Sequence, residues 1–250
     1  MTVVYQKSKG LLPVSPGYCP GCMHSTAHKI IAEVLEEKQI LGKTILVLPV
    51  GCSILATNYF NFDLLCSLHG RAAANAVGLK HAQKDKVVLV YQGDGDAASI
   101  GLTETFYAAN RGEPITVIMI NNQIYGMTGG QLSPCTLMGQ QTTTTSAQGR
   151  QAMESGYPVR MAEIISQLEA PMFVGRFALH KPAEILKAKA AIARGIDLQI
   201  NCKGYSFIEL LSACPTNWGI PTDETPGYMD EKVIPVFPLG IFKEPKGVEN

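Results

Sequence analysis

Two sets of residues carry the chemistry that this sequence offers. The first is Gly93-Asp94-Gly95-Asp96, in which the Gly-Asp-Gly is followed after 25 residues by Asn121-Asn122. Glycine lets a backbone approach a ligand closely, Asp94 supplies a hard carboxylate and Asn122 a neutral oxygen. Such donors suit Mg²⁺, which takes oxygen ligands and keeps phosphate oxygens in its shell. Taken singly, each piece also reads as a glycine turn or an Asx turn. A nicotinamide-type loop competes for the same stretch, but GDGDAASIG lacks the third glycine of G-x-G-x-x-G.

The second set is drawn from seven cysteines. Cys19 and Cys22 form a C-x-x-C, Cys52 follows the apolar run TILVLPVG, and Cys214 follows YSFIELLSA. Four thiolates suit a cubane iron-sulfur cluster, in which each iron is held by one Cys. Zinc also accepts four thiolates, usually from two C-x-x-C knuckles, and a Cys19-Cys22 redox dithiol is a third reading. Cys66 and Cys135 stand alone, as buried or incidental thiols do.

The elements that must position these residues follow from hydrophobic patterning. Apolar, β-branched runs at 44–50, 86–91, 115–120, 171–176 and 205–211 predict strands covered on both faces. Helical patterns lie at 24–38, 71–83, 101–110, 161–168 and 182–194. This alternation predicts an α/β fold with a doubly wound, mainly parallel sheet, whose ligands bind beyond the carboxyl ends of the strands. Asp94, Asn122, Cys52 and Cys214 each follow a predicted strand and so fall on that edge. Cys202 precedes one and falls on the other. A helix starting near Ile100 adds an N-terminal dipole that favours anions.

A long segment at 125–158, rich in Gly, Thr, Ser and Gln, departs from the alternation, as lids and binding loops do. The expected organisation is one domain over 1–213 and an extended, proline-rich C-terminal tail over 214–250 that carries Cys214.

Composition narrows the partners. Lys plus Arg equals Asp plus Glu at 21 each and charged residues make up 17% of the chain, so no basic surplus exists for a phosphate backbone. Nucleic acid is not expected. No run approaches the roughly 20 apolar residues that span a bilayer, and the first residues lack the apolar core of a signal peptide. Neither membrane association nor export is expected, which places the chain in the cytoplasm.

GDG followed by NN resembles the thiamine diphosphate signature, in which the magnesium ligands would be Asp94, Asn122 and the carbonyl of Ile124. The segments YCPGCMHSTAHKIIAEV, LPVGCSI, LHGRAAANAVGLK, YQGDGDAASIG, INNQIYGMTGGQLSPCTLMG and LLSACPTNWG together resemble the β subunit of the 2-oxoacid:ferredoxin oxidoreductases over nearly the whole length. The resemblance implies thiamine diphosphate, Mg²⁺ and a 4Fe-4S cluster on Cys19, Cys22, Cys52 and Cys214. It places cofactor contacts at Gly51, Ser53, His69, Gly70, Gly93, Gly95, Asp96, Gly126, Met127 and Thr128, with His69 the catalytic candidate.

The implied reaction decarboxylates a 2-oxoacid, passes electrons singly through the cluster to ferredoxin and transfers the acyl group to coenzyme A. A separate α subunit is implied, because one α/β unit does not hold both halves of a thiamine site. Relatives that prefer 2-oxoglutarate often read T-K-G-Q where this chain reads Thr128-Gly129-Gly130-Gln131. That favours an uncharged substrate such as 2-oxoisovalerate, with 2-oxoglutarate or pyruvate as alternatives. No second cysteine set of ferredoxin spacing is present, so electrons would leave through a ferredoxin-like subunit or soluble ferredoxin.

Overall fold

The five apolar runs form the centre of a seven-stranded sheet in the computed structural model, which describes residues 5–202 and 204–245. Residues 1–4 and 203 of the expected domain and 246–250 of the expected tail lie outside the described residues. The strands are β1 (Thr44–Pro49), β2 (Asp63–Ser67), β3 (Val87–Gly93), β4 (Thr116–Asn121), β5 (Ile124–Tyr125), β6 (Gln131–Leu132), β7 (Phe173–Ala178), β8 (Ser206–Leu211) and β9 (Gly240–Lys243). The sheet order is β2-β1-β3-β4-β8-β7-β9. Every pairing is parallel except that of β9 with β7, while β5 and β6 form a separate hairpin.

Helices cover both faces, which is why β4, β7 and β8 are buried at every position and show no polar alternation. Helix α1 (His24–Glu37) and the long α6 (Pro182–Cys202) pack on one face; α2 (Ala72–Ala82), α3 (Leu102–Asn110) and α5 (Met161–Ser166) pack on the other. In α1, Ala27, Ile30, Ile31, Val34 and Leu35 repeat at three- and four-residue spacing and are buried.

The predicted elements are present, with shifted ends, and α6 continues eight residues past the expected 194. The expected extended tail is corrected. Residues 215–245 fold into α7 (Pro215–Trp218), α8 (Thr225–Tyr228), a π-helical turn at Met229–Val233 and α9 (Ile234–Val236) before β9 joins the sheet edge. Proline sits in the first turn of each of these helices, where its missing N–H has no partner to lose.

The 125–158 segment is also more ordered than a simple loop. It holds the β5-β6 hairpin and α4 (Ala152–Ser155). The guanidinium of Arg150, 3% exposed, donates to the carbonyls of Ser133, Pro134, Thr136, Ser155, Gly156 and Tyr157. One buried cation thus organises backbone that no sheet or long helix satisfies. Among the described residues no helix is long and apolar enough to cross a membrane.

Candidate functional site

Strands β1, β3, β4 and β8 are adjacent and parallel, so their carboxyl ends stand side by side. In that order they deliver Gly51-Cys52, Asp94, Asn122 and Cys214 to one edge. The chain leaves β1 toward β2 and leaves β3 toward β4, in opposite directions across the sheet. The crevice between β1 and β3 is therefore a topological switch point, where open α/β sheets bind ligands.

A cavity opens at this edge. Its wall includes Gly51, Cys52 and Ser53 after β1, His69 after β2, Gly93 at the end of β3 and residues 94–96 after it, and Asn122, Ile124, Gly126, Met127 and Thr128 after β4. Of the cofactor contacts implied by the sequence, only Gly70 is not on the wall. Its N–H donates to Asp96 Oδ1 at 2.5 Å, behind it.

Asp94 is 2% exposed, and burial pushes its carboxyl up to about 7. The Ser133 hydroxyl, donating to Oδ2 at 2.6 Å, and the Gly95 N–H, donating to Oδ1 at 3.0 Å, pull the other way. Asn122 Oδ1 accepts the Ile124 N–H at 3.3 Å, and its carbonyl accepts the Trp218 indole N–H at 2.9 Å.

Beneath it runs a buried polar chain. Gln123, held at φ 60°, donates to Asn121, Asn121 donates to Glu209 Oε1 at 2.6 Å, and Glu209 pairs with Arg176 at 3.0 Å. Arg176 in turn meets Glu163 at 2.5 Å. The Asn122 turn is thereby fixed to two strands and a helix. A Cβ on Gly95 would stand 2.1 Å from the Tyr125 ring, so glycine is required where the loops after β3 and β4 cross.

His69 Nδ1 lies 2.5 Å from Asp96 Oδ1. Donation from Nδ1–H to that carboxylate places the proton on Nδ1, which in the neutral ring leaves Nε2 as an acceptor. Burial raises the Asp96 pKa, opposed by the Gly70 N–H and His69, and Asp96 Oδ2 is buried with no partner.

Cys52 lines the same cavity, and the other thiols gather beside it. A Cβ placed on Gly126 would meet Cys52 Sγ at 3.4 Å and Cys214 Sγ at 3.5 Å. Cys19 and Cys22 sit on a turn closed by the Cys22 N–H to the Cys19 carbonyl, and Gly21 between them packs on Pro215 and Thr222, just past Cys214. The Tyr18 hydroxyl joins this turn to the Cys52 carbonyl at 3.1 Å.

Burial pushes Cys22 up to about 12 and Cys52 to about 11; charge on Cys214, Cys52 and Cys19 raises the first further, and charge on Cys214, Cys19 and Asp94 the second. Once ionised, these clustered thiolates would repel one another, and a positively charged core would relieve that repulsion. Among the described residues no three Cys, His, Asp or Glu side chains close on a single ion. In a cubane the four thiolates bind four different irons, and need not share one centre. Cys135 is buried, Cys66 is exposed on β2, and the Cys202 backbone lies at the opposite edge.

Sequence reasoning missed the aromatic-imidazole cluster behind the thiols. His24 and His28 are each 2% exposed, and burial holds His24 at about 4 and His28 well below the ordinary histidine value. His24 Nδ1 is 2.6 Å from the Tyr91 hydroxyl, and the His24 ring stacks on Tyr18. His24 also lines the cavity. Its place directly after the C-x-x-C was the available signal.

Comparison with known proteins agrees with this geometry. Residues 49–210 match the family described as thiamine pyrophosphate enzyme, C-terminal TPP binding domain. The ketoisovalerate oxidoreductase subunit VorA of Methanothermobacter thermautotrophicus is 42% identical over 96% of this chain and 50% of its own length. The chain therefore spans about half of that relative. The 2-oxoglutarate synthase subunit KorB of Methanocaldococcus jannaschii is 36% identical over 81% of this chain and 70% of its own. A 2-oxoglutarate:ferredoxin oxidoreductase structure from Magnetococcus marinus superposes with a TM-score of 0.75 at 23% identity, covering 95% of this chain and 84% of that one, which shows a shared fold. With the strand-end site and these likenesses together, the chain belongs to the family of 2-oxoacid:ferredoxin oxidoreductase subunits and carries their thiamine pyrophosphate-binding domain.

Proposed function

We propose that this chain is the thiamine diphosphate- and cluster-binding β subunit of a cytoplasmic 2-oxoacid:ferredoxin oxidoreductase, with 2-oxoisovalerate as the preferred substrate. The observation that carries the reading is the juxtaposition of Asp94 and Asn122 with Cys52 and Cys214 on four neighbouring strand ends. A thiamine enzyme without redox function has no use for the thiols, and a zinc-stabilised module has none for the buried carboxylate and amide.

Asp94, Asn122 and the Ile124 carbonyl would hold Mg²⁺, and the glycine-bearing loops would admit the diphosphate. Cys19, Cys22, Cys52 and Cys214 would hold a 4Fe-4S cluster. Thiamine diphosphate supplies the carbanion chemistry at the 2-oxo carbon. The protein's own part is positional. The Glu209-Arg176 network fixes the Asn122 turn, Ser133 aims Asp94, and Asp96 orients His69 so that Nε2 can take or return a proton at the reacting end of the cavity.

Two features support an uncharged substrate side chain. Val50, Ile124 and Met127 line the cavity, and no lysine or arginine does among the described residues. The 42% identical relative is named for ketoisovalerate. The other half of the thiamine site and the route to ferredoxin would come from partner subunits, and coenzyme A would take the acyl group. Exposed Val50, Leu68, Ile100 and Met127 give the carboxyl edge an apolar surface suited to such a partner.

Comparing turnover of the anaerobically purified complex with 2-oxoisovalerate, pyruvate and 2-oxoglutarate tests the assignment. At least about a tenfold preference in kcat/KM, or 1.4 kcal/mol, is expected for 2-oxoisovalerate. Preference for 2-oxoglutarate would overturn it.

A further inference from the structure

Helix α7 begins immediately after Cys214, and Asn217, three residues on, reaches back over it. Its side-chain Nδ2 lies 3.3 Å from Cys214 Sγ and 3.2 Å from the Gly126 carbonyl oxygen. Both neighbours are acceptors once the thiol is ionised, so the amide nitrogen, not its oxygen, must face them. Trp218, next in the chain, donates to the Asn122 carbonyl at 2.9 Å. A four-residue helix thus ties a thiol to the loop carrying Asn122 and Gly126 through two consecutive side chains.

We infer that Asn217 is a positioning residue that tunes the 4Fe-4S cluster: its side-chain N–H···S bond to Cys214 raises the cluster's reduction potential and holds the cluster against the cofactor loop at Gly126. This rests on the cluster assignment above. A hydrogen bond to a ligating sulfur withdraws electron density and stabilises the reduced, more negative cluster, so removing it lowers the potential. Asn217→Leu keeps the approximate volume without the donor. Asn217→Asp keeps the shape, removes the donor and adds negative charge next to the sulfur.

The test is a dye-mediated reductive titration of the anaerobic complex, followed by the electron paramagnetic resonance signal of the reduced cluster, with iron and sulfide measured on each sample. The expected result is full iron content in all three proteins, a midpoint potential more negative in Asn217→Leu than in the unmutated protein, and one more negative still in Asn217→Asp. An unchanged potential with iron retained would overturn the role of Asn217 while leaving the cluster standing. Absence of iron and sulfide from the unmutated protein would overturn the cluster, and this inference with it.

If a substitution expels the iron, a second measurement on the unmutated protein decides. Asparagine labelled with ¹⁵N at the side-chain amide should give a resolved nitrogen hyperfine coupling to the reduced cluster. No coupling would contradict the N–H···S bond.

Discussion

Asp94 shows how far one residue's chemistry depends on its neighbours. The Ser133 hydroxyl, 2.6 Å from Oδ2, is its only side-chain hydrogen-bond donor among the described residues. Ser133→Ala should therefore leave the proposed ligand in place but weaken Mg²⁺-dependent thiamine diphosphate binding by about 10- to 100-fold, as loss of an outer-shell partner does. Asp94→Asn should reduce it further. Trp218 is the single tryptophan and donates to the Asn122 carbonyl, so its fluorescence gives a direct titration signal.

His28 makes a second prediction at this scale. Its pKa in the folded protein lies well below the ordinary 6.5 because burial disfavours the charged ring. The unfolded chain then binds more protons as pH falls through 6.5, so unfolding is favoured progressively below that value and the contribution is restored above it. His28→Phe should flatten the loss of thermal stability between pH 7 and pH 5. An unchanged slope would count against a buried neutral imidazole.

At the scale of elements, the positions of Asp94 and Asn122 were legible because each follows directly on a strand whose run is almost wholly apolar. Continuous runs such as KVVLVY and ITVIMI have one stable place in an α/β protein, between two helical layers. The strands that escaped notice are those without that signature. β2, at DLLCS, is exposed or half-buried at four of its five positions, and β9 pairs along one edge only. Proline between 215 and 238 reads as chain extension, yet Pro215, Pro226 and Pro235 each sit in the first turn of a short helix. Asn217 was out of reach for the same reason, since its role needs a helix turn that its flanking residues do not advertise. Arg150 and the Arg176-Glu209 pair likewise depend on contacts between residues far apart in sequence.

The element-scale prediction concerns that pair. Arg176 and Glu209 are both fully buried. Breaking a buried pair from one side leaves an uncompensated charge and costs about 3–5 kcal/mol. Arg176→Met should therefore lower the apparent Tm by roughly 10 °C and loosen the Asn122 turn, with thiamine diphosphate affinity falling in parallel. A variant with normal Tm and affinity would show that the network is not what holds the turn.

For the whole molecule, one sheet edge concentrates the proposed chemistry while the opposite edge carries none of it. The cavity is open, and exposed apolar residues surround it. Under the proposed assignment a partner subunit would complete the thiamine site, and the VorA relative carries about as much chain again outside the matched region. The chain purified alone should accordingly show no 2-oxoacid-dependent reduction of ferredoxin, with activity appearing on addition of the partner subunit. Full turnover by the single chain would remove the need for one.

The central claim is that Cys19, Cys22, Cys52 and Cys214 join the Asp94 and Asn122 edge as ligands of an electron-transferring cluster. Iron, acid-labile sulfide and zinc per chain, measured on protein purified without oxygen, test it most directly. About four iron and four sulfide per chain are predicted, falling with any Cys→Ser change at the four positions and unaffected by Cys66→Ser. Zinc in place of iron would contradict the claim and leave a thiamine-binding half without redox function.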